Sequence, residues 1–159
     1  MNGKSKVGSL TLGGAVAAVY VLLTLLASAL GLASGTIQLR LSEALCVLPV
    51  FFPAAVPGLF VGCLLSNLLT GCVVWDVVFG SLATLLGAVG TRLLRKRRFL
   101  CVLPPILANT VIVPFVLAYA YNVPDGIPFL MLTVGIGEVL SCGVLGQLLY
   151  SRLEKTKLF

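Results

Sequence analysis

Most of the charge in this sequence sits in three basic blocks, and the side chains left over to do chemistry are few: Arg40, Glu43, Asp76, Asp125 and Glu138. Glu138 lies near the middle of a long apolar run, with Gly135, Gly137 and Gly143 around it. A carboxylate at that depth costs about 2.5–3.5 kcal/mol on insertion scales, so it must face a bundle interior, a partner or a ligand. A buried pair with Arg40, or a protonated carboxyl bonded within the bundle, would satisfy it structurally. Arg40 and Glu43 are three residues apart; if helical they share a face and can pair. With Gln38 they would otherwise bring polar groups to the outer mouth of the bundle, above Glu138. Asn67 and Asn109 sit inside apolar stretches, where an amide either bridges helices, at about 0.6 kcal/mol on average, or orients a ligand. Ionised carboxylates only accept hydrogen bonds. The favoured ligand is therefore a small heterocycle with an amidine-like N–H edge, or an amine.

Aromatic residues frame this set. Trp75, Tyr119 and Tyr121 are expected at the outer interface, as an aromatic belt or as platforms for a stacked ligand. Asp125 falls in the turn sequence Asn122-Val123-Pro124-Asp125-Gly126. Asp76 beside Trp75 reads as a helix N-cap at the interface.

Other chemistry is excluded by what is missing. The sequence has no histidine, which removes the commonest metal ligand and the commonest neutral-pH base. Cys46, Cys63, Cys72, Cys101 and Cys142 lie scattered in apolar runs without CxxC spacing, so they read as small buried hydrophobes. No nucleophile is paired with a base at plausible spacing, and no enzyme, resident metal or cofactor is expected. The net charge of +6 does not imply nucleic acid, because its basic residues cluster at 4–6, 92–98 and 152–157. That is the pattern of cytoplasmic loops beside anionic lipid.

The elements that must position these residues are membrane spans. The chain is 59% apolar and 10% charged, against about 25% charged for a soluble domain, so lipid is its solvent. Uncharged runs cover 7–39, 44–75, 77–91, 99–124 and, apart from Glu138, 126–151. A span takes roughly 20 apolar residues. Residues 44–75 as one helix would reach about 48 Å against a hydrocarbon core of about 30 Å. This run contains Pro49, Pro53 and Pro57-Gly58, and proline disfavours a helix interior, so it is read as a hairpin turning near 53–58. The expectation is an all-α, polytopic single membrane domain over 1–159, with six spans near 8–32, 40–55, 58–74, 76–93, 99–121 and 128–151. With both termini cytoplasmic, ten of the eleven Lys and Arg lie inside and Arg40 lies outside. The first apolar stretch is much longer than the 7–15 residues of a signal-peptide core, so an uncleaved first span is expected. That span carries Gly13, Gly14, Ala17 and Ala18, two overlapping small-xxx-small pairs that suit packing within the bundle or against a partner helix.

Several stretches are similar to a known family: Gln38-Leu39-Arg40-Leu41-Ser42-Glu43-Ala44-Leu45, the 52–62 segment Phe-Pro-Ala-Ala-Val-Pro-Gly-Leu-Phe-Val-Gly, Ser66-Asn67-Leu68, and the 76–84 segment Asp-Val-Val-Phe-Gly-Ser-Leu-Ala-Thr. They closely resemble the queuosine-precursor (QueT-type) transporter family, the substrate-binding S components of energy-coupling-factor (ECF) transporters. The resemblance implies a six-helix protein of the bacterial plasma membrane that captures a 7-deazaguanine, such as queuine or its aminomethyl precursor, from outside. It also implies partners: a transmembrane coupling protein and two cytoplasmic ATPase subunits. In such components a small-residue motif on the first helix contacts the coupling protein, which here points to the strip of Gly13, Gly14, Ala17 and Ala18. One glutamate of Glu43 and Glu138 would then receive the guanine-like edge and the other a cationic amine. Gln38, Arg40, Asn67 and Asn109 would orient the base. A stand-alone proton-coupled transporter using Glu138 is the competing expectation, since a lone embedded carboxylate marks proton relays. The missing internal repeat weighs against it.

Overall fold

In a computed structural model, which describes residues 3–32 and 38–156, every regular element among the described residues is helical. The six elements are α1 (Gly3–Ala29), α2 (Leu41–Val50), α3 (Ala55–Leu69), α4 (Val74–Leu93), α5 (Leu100–Ala120) and α6 (Ile127–Thr156). Four of them, α1, α4, α5 and α6, are long and apolar enough to cross a membrane, whereas α2 and α3 are shorter apolar helices. The chain is thus built as a multi-pass membrane protein. The segments expected to span near 40–55 and 58–74 are shorter than expected. The ten residues of α2 form a 3₁₀-helix of about 20 Å at ~2.0 Å per residue, and α3 reaches about 22 Å.

The 44–75 run does fold back, but its reversal occupies Phe51–Ala54, before Pro57-Gly58. Pro57 is the third residue of α3, where a backbone N–H would have no intrahelical partner, so the ring removes no hydrogen bond. Gly58 serves close approach instead of a turn, because a Cβ there would stand 2.6 Å from the Gly13 carbonyl oxygen. One turn on, a Cβ at Gly62 would stand 2.8 Å from Tyr20 Cβ. The α1–α3 seam is therefore small residues on both sides. Gly13 and Ala17 are buried in it, while Gly14 and Ala18 are exposed on the outside of α1.

The inward face of α2 is uniformly buried, from Ser42 and Glu43 to Pro49. Its last carbonyls, on Pro49 and Val50, accept hydrogen bonds from Arg92 at 2.9 and 3.0 Å. Nearby, Arg98 pairs with Glu154 at 3.0 Å and reaches Ser151. The end of α2, the α4–α5 connection and the end of α6 thus meet, and the basic residues of 92–98 and 152–155 gather at that end of the bundle. Lys157 lies outside the described residues.

The last helix is not uniformly α. Residues Val139–Leu145, directly after Glu138, are wound as a π-helix, which turns Ser141 and Cys142 into the interior. Four of the five cysteines are buried, as expected for small hydrophobes, and all five are free thiols.

Candidate functional site

Opposite the basic end, a cavity of about 380 Å³ opens among α1, α3, α4 and the segments flanking them, lined by Gln38, Arg40, Ser42, Asn67, Asp76 and Tyr121 among others. Its size falls in the usual range of roughly 300–1,000 Å³ for small-molecule sites. Three of the residues singled out in the sequence, Gln38, Arg40 and Asn67, are brought together here. The chain before α2 can sit deep because α6 yields to it: a Cβ at Gly137 would clash with the Gln38 carbonyl oxygen.

Asp76 is the residue that sequence reasoning misassigned. The N-cap of α4 is Val73, and no side chain caps that helix. Asp76 lies in the first turn and is 8% exposed. The Tyr121 hydroxyl donates to its Oδ2 at 3.0 Å and accepts from the Val73 N–H at 3.3 Å. Asn67 Nδ2 donates to its backbone carbonyl at 3.2 Å. Asp76 Oδ1 is buried without a hydrogen-bond partner, and so is Arg40 Nη1. A signal for Asp76 was present: residues 76, 80, 84 and 88 of α4 are Asp, Gly, Thr and Ala, a small and polar stripe at helical spacing that marks the face turned inward.

Beneath the cavity lies a second polar layer. Glu43 is 0% and Glu138 3% exposed. The Tyr20 hydroxyl donates to Glu43 Oε1 at 2.5 Å, and the Cys46 thiol donates to Oε2 at 2.9 Å. In a 3₁₀-helix residues three apart stand in line, which is why Glu43 and Cys46 meet. The Cys142 thiol lies 3.3 Å from the Glu43 backbone carbonyl and 3.4 Å from Glu138 Oε2, so the π-wound segment joins the Glu138 carboxylate to the backbone of α2 at Glu43. Asn109 is fully buried in this bundle, and neither atom of its amide has a partner.

The pairings that would have explained Arg40 structurally do not form. The single ion pair among the described residues is Arg98–Glu154, and Arg40 closes none with Glu43 or Glu138. Trp75 and Tyr119 lie elsewhere. They are 62% and 74% exposed and line an apolar groove of about 430 Å³ on the outer face of α4 and α5 with Phe79 and Phe115. Tyr121, two residues beyond Tyr119 and so on the other side of the helix end, is the aromatic residue at the cavity.

A family model described as QueT transporter matches residues 10–155. No curated protein and no solved structure matches the chain.

Proposed function

Since the chain belongs to the QueT transporter family, we propose that it is the substrate-binding S component of an ECF-type importer. In this reading it captures a queuosine precursor, queuine or its aminomethyl precursor, from outside the bacterial plasma membrane. The supporting observation is the cavity lined by Gln38, Arg40 and Asn67 above two buried carboxylates. Gln38, Arg40 and Asn67 orient the base. Glu43 and Glu138, with Asn109, hold the negative and polar layer that suits the cationic amine of an aminomethyl precursor. Six helices with both termini cytoplasmic put the cavity on the outer side, because the basic end then faces the cytoplasm.

In this reading ATP hydrolysis belongs to two partner ATPases acting through a coupling protein. That protein meets the exposed side of α1 at Gly14 and Ala18, since Gly13 and Ala17 are occupied by α3.

Calorimetry of the purified, detergent-solubilised chain with queuine tests the assignment, with saturable binding as the expected result. Absence of binding by queuine and by its aminomethyl precursor would overturn it. The burial of Glu138 favours one competing reading, a proton-coupled transporter. Accumulation of queuine in liposomes holding this chain alone, driven by a pH gradient, would establish that alternative.

A further inference from the structure

We propose that Asp76 and Arg40 together read the donor–donor–acceptor edge of a 2-amino-4-oxopyrimidine ring, with Asp76 taking its two N–H groups and Arg40 its carbonyl oxygen. The inference rests on the cavity being the substrate site, and it moves edge recognition from the glutamates to an aspartate.

Its basis is an unmet pair of opposite groups in one cavity. Asp76 Oδ1 and Arg40 Nη1 are both buried, both without a hydrogen-bond partner, and both on residues lining the same space. No ion pair joins them. A buried group left without its hydrogen bond costs about 1–3 kcal/mol, more when charged. The arrangement is relieved by a ligand that presents donors on one side and an acceptor on the other.

The carboxylate is also held. Tyr121 fixes Oδ2 at 3.0 Å, and each carboxylate oxygen retains a further lone-pair site. Gly80 leaves room beside Oδ1: a Cβ there would be 3.0 Å from Oδ1 and 3.1 Å from Asn67 Nδ2. The ring N–H and the exocyclic amine of the ligand are parallel donors, which a carboxylate accepts as a fork, while a guanidinium donates to the adjoining carbonyl. A 6-amino ring presents its unprotonated ring nitrogen to the carboxylate and is repelled. A 6-oxo ring lacking the 2-amino group loses one of the two bonds. Glu43, by contrast, already has both oxygens engaged by Tyr20 and Cys46.

The test is equilibrium binding of 7-deazaguanine, 7-deazahypoxanthine and 7-deazaadenine to the full chain in nanodiscs, for wild type, Asp76→Asn, Arg40→Gln and Tyr121→Phe. The wild type is expected to prefer 7-deazaguanine at least tenfold over each of the others. Asp76→Asn should lose at least tenfold in 7-deazaguanine affinity and most of its preference over 7-deazahypoxanthine. Arg40→Gln should weaken both oxo compounds together, and Tyr121→Phe should give a smaller loss of the same preference. If the wild type binds 7-deazaguanine and Asp76→Asn keeps both its affinity and its preference, this inference falls while the substrate site stands. If the wild type binds none of the three, this inference falls, and binding of queuine or its aminomethyl precursor decides whether the substrate site stands. Should Asp76→Asn fail to fold, a Tyr121→Phe variant that keeps the full wild-type preference, or a wild type indifferent among the three, overturns the proposal.

Discussion

The Tyr20 hydroxyl on α1 donates to Glu43 Oε1 on α2 across 2.5 Å, with both side chains sealed inside the bundle. This bond ties the most lipid-exposed of the long helices, only 22% buried, to the most enclosed short one.

Tyr20→Phe removes that donor and leaves a buried carboxylate oxygen short of a partner, which costs about 1–3 kcal/mol. The thermal midpoint of the solubilised protein should fall. Glu43→Gln keeps an oxygen in place for the tyrosine and should fall less. Equal midpoints for wild type and Tyr20→Phe would show that the bond contributes nothing.

Glu138→Gln fills the same volume but replaces an acceptor-only group with one that also donates. Binding of queuine or its aminomethyl precursor should weaken by more than tenfold while the unfolding midpoint moves little. Wild-type affinity in this variant removes Glu138 from the site.

The two sides of α1 should separate. Gly14→Leu and Ala18→Leu add bulk on the exposed side, where a Cβ at Gly14 meets nothing within 4 Å, and should leave ligand binding intact while stopping uptake in cells. Gly58→Leu drives its side chain into the Gly13 backbone and should abolish folding, seen as loss of the monodisperse peak. Normal uptake by both outer-side variants would remove the partner contact.

Cys72 is the one cysteine that is not buried, and it lines the cavity. A small methanethiosulfonate should modify it well before the other four, and 7-deazaguanine in the cavity should slow the reaction. Modification at an unchanged rate with saturating ligand would place the ligand away from Cys72.

Long apolar runs fixed by composition were legible, and four of them became helices of spanning length at α1, α4, α5 and α6. So was the depth of Glu138 and Asn109, because a polar group in such a run has nowhere to go but inward. The position of the hairpin was not, since proline and glycine carry two meanings. Pro57 is tolerated in a first helical turn, and Gly58 answers a neighbour on α1 that lies 45 positions away in sequence. Asp76 was misread for a related reason: a cap and a buried first-turn carboxylate differ by the position of the helix start, and sequence places such boundaries poorly. Trp75 and Tyr119 show the limit of an aromatic count. Chain position puts them at the right level of the bundle, but only the helix rotation says that Tyr121 turns to the cavity and they turn to the outer face.

The winding of α2 has a mechanical consequence. Ten residues in a 3₁₀ coil extend about 5 Å further than the same ten in an α coil, at roughly 2.0 against 1.5 Å per residue. That extra reach lets a very short segment run from Arg40 at the cavity to the carbonyls gripped by Arg92. Relaxing it to the commoner pitch would pull one of those two anchorages out of register with the other, so the cavity and basic ends of the protein are joined by a strut with no slack.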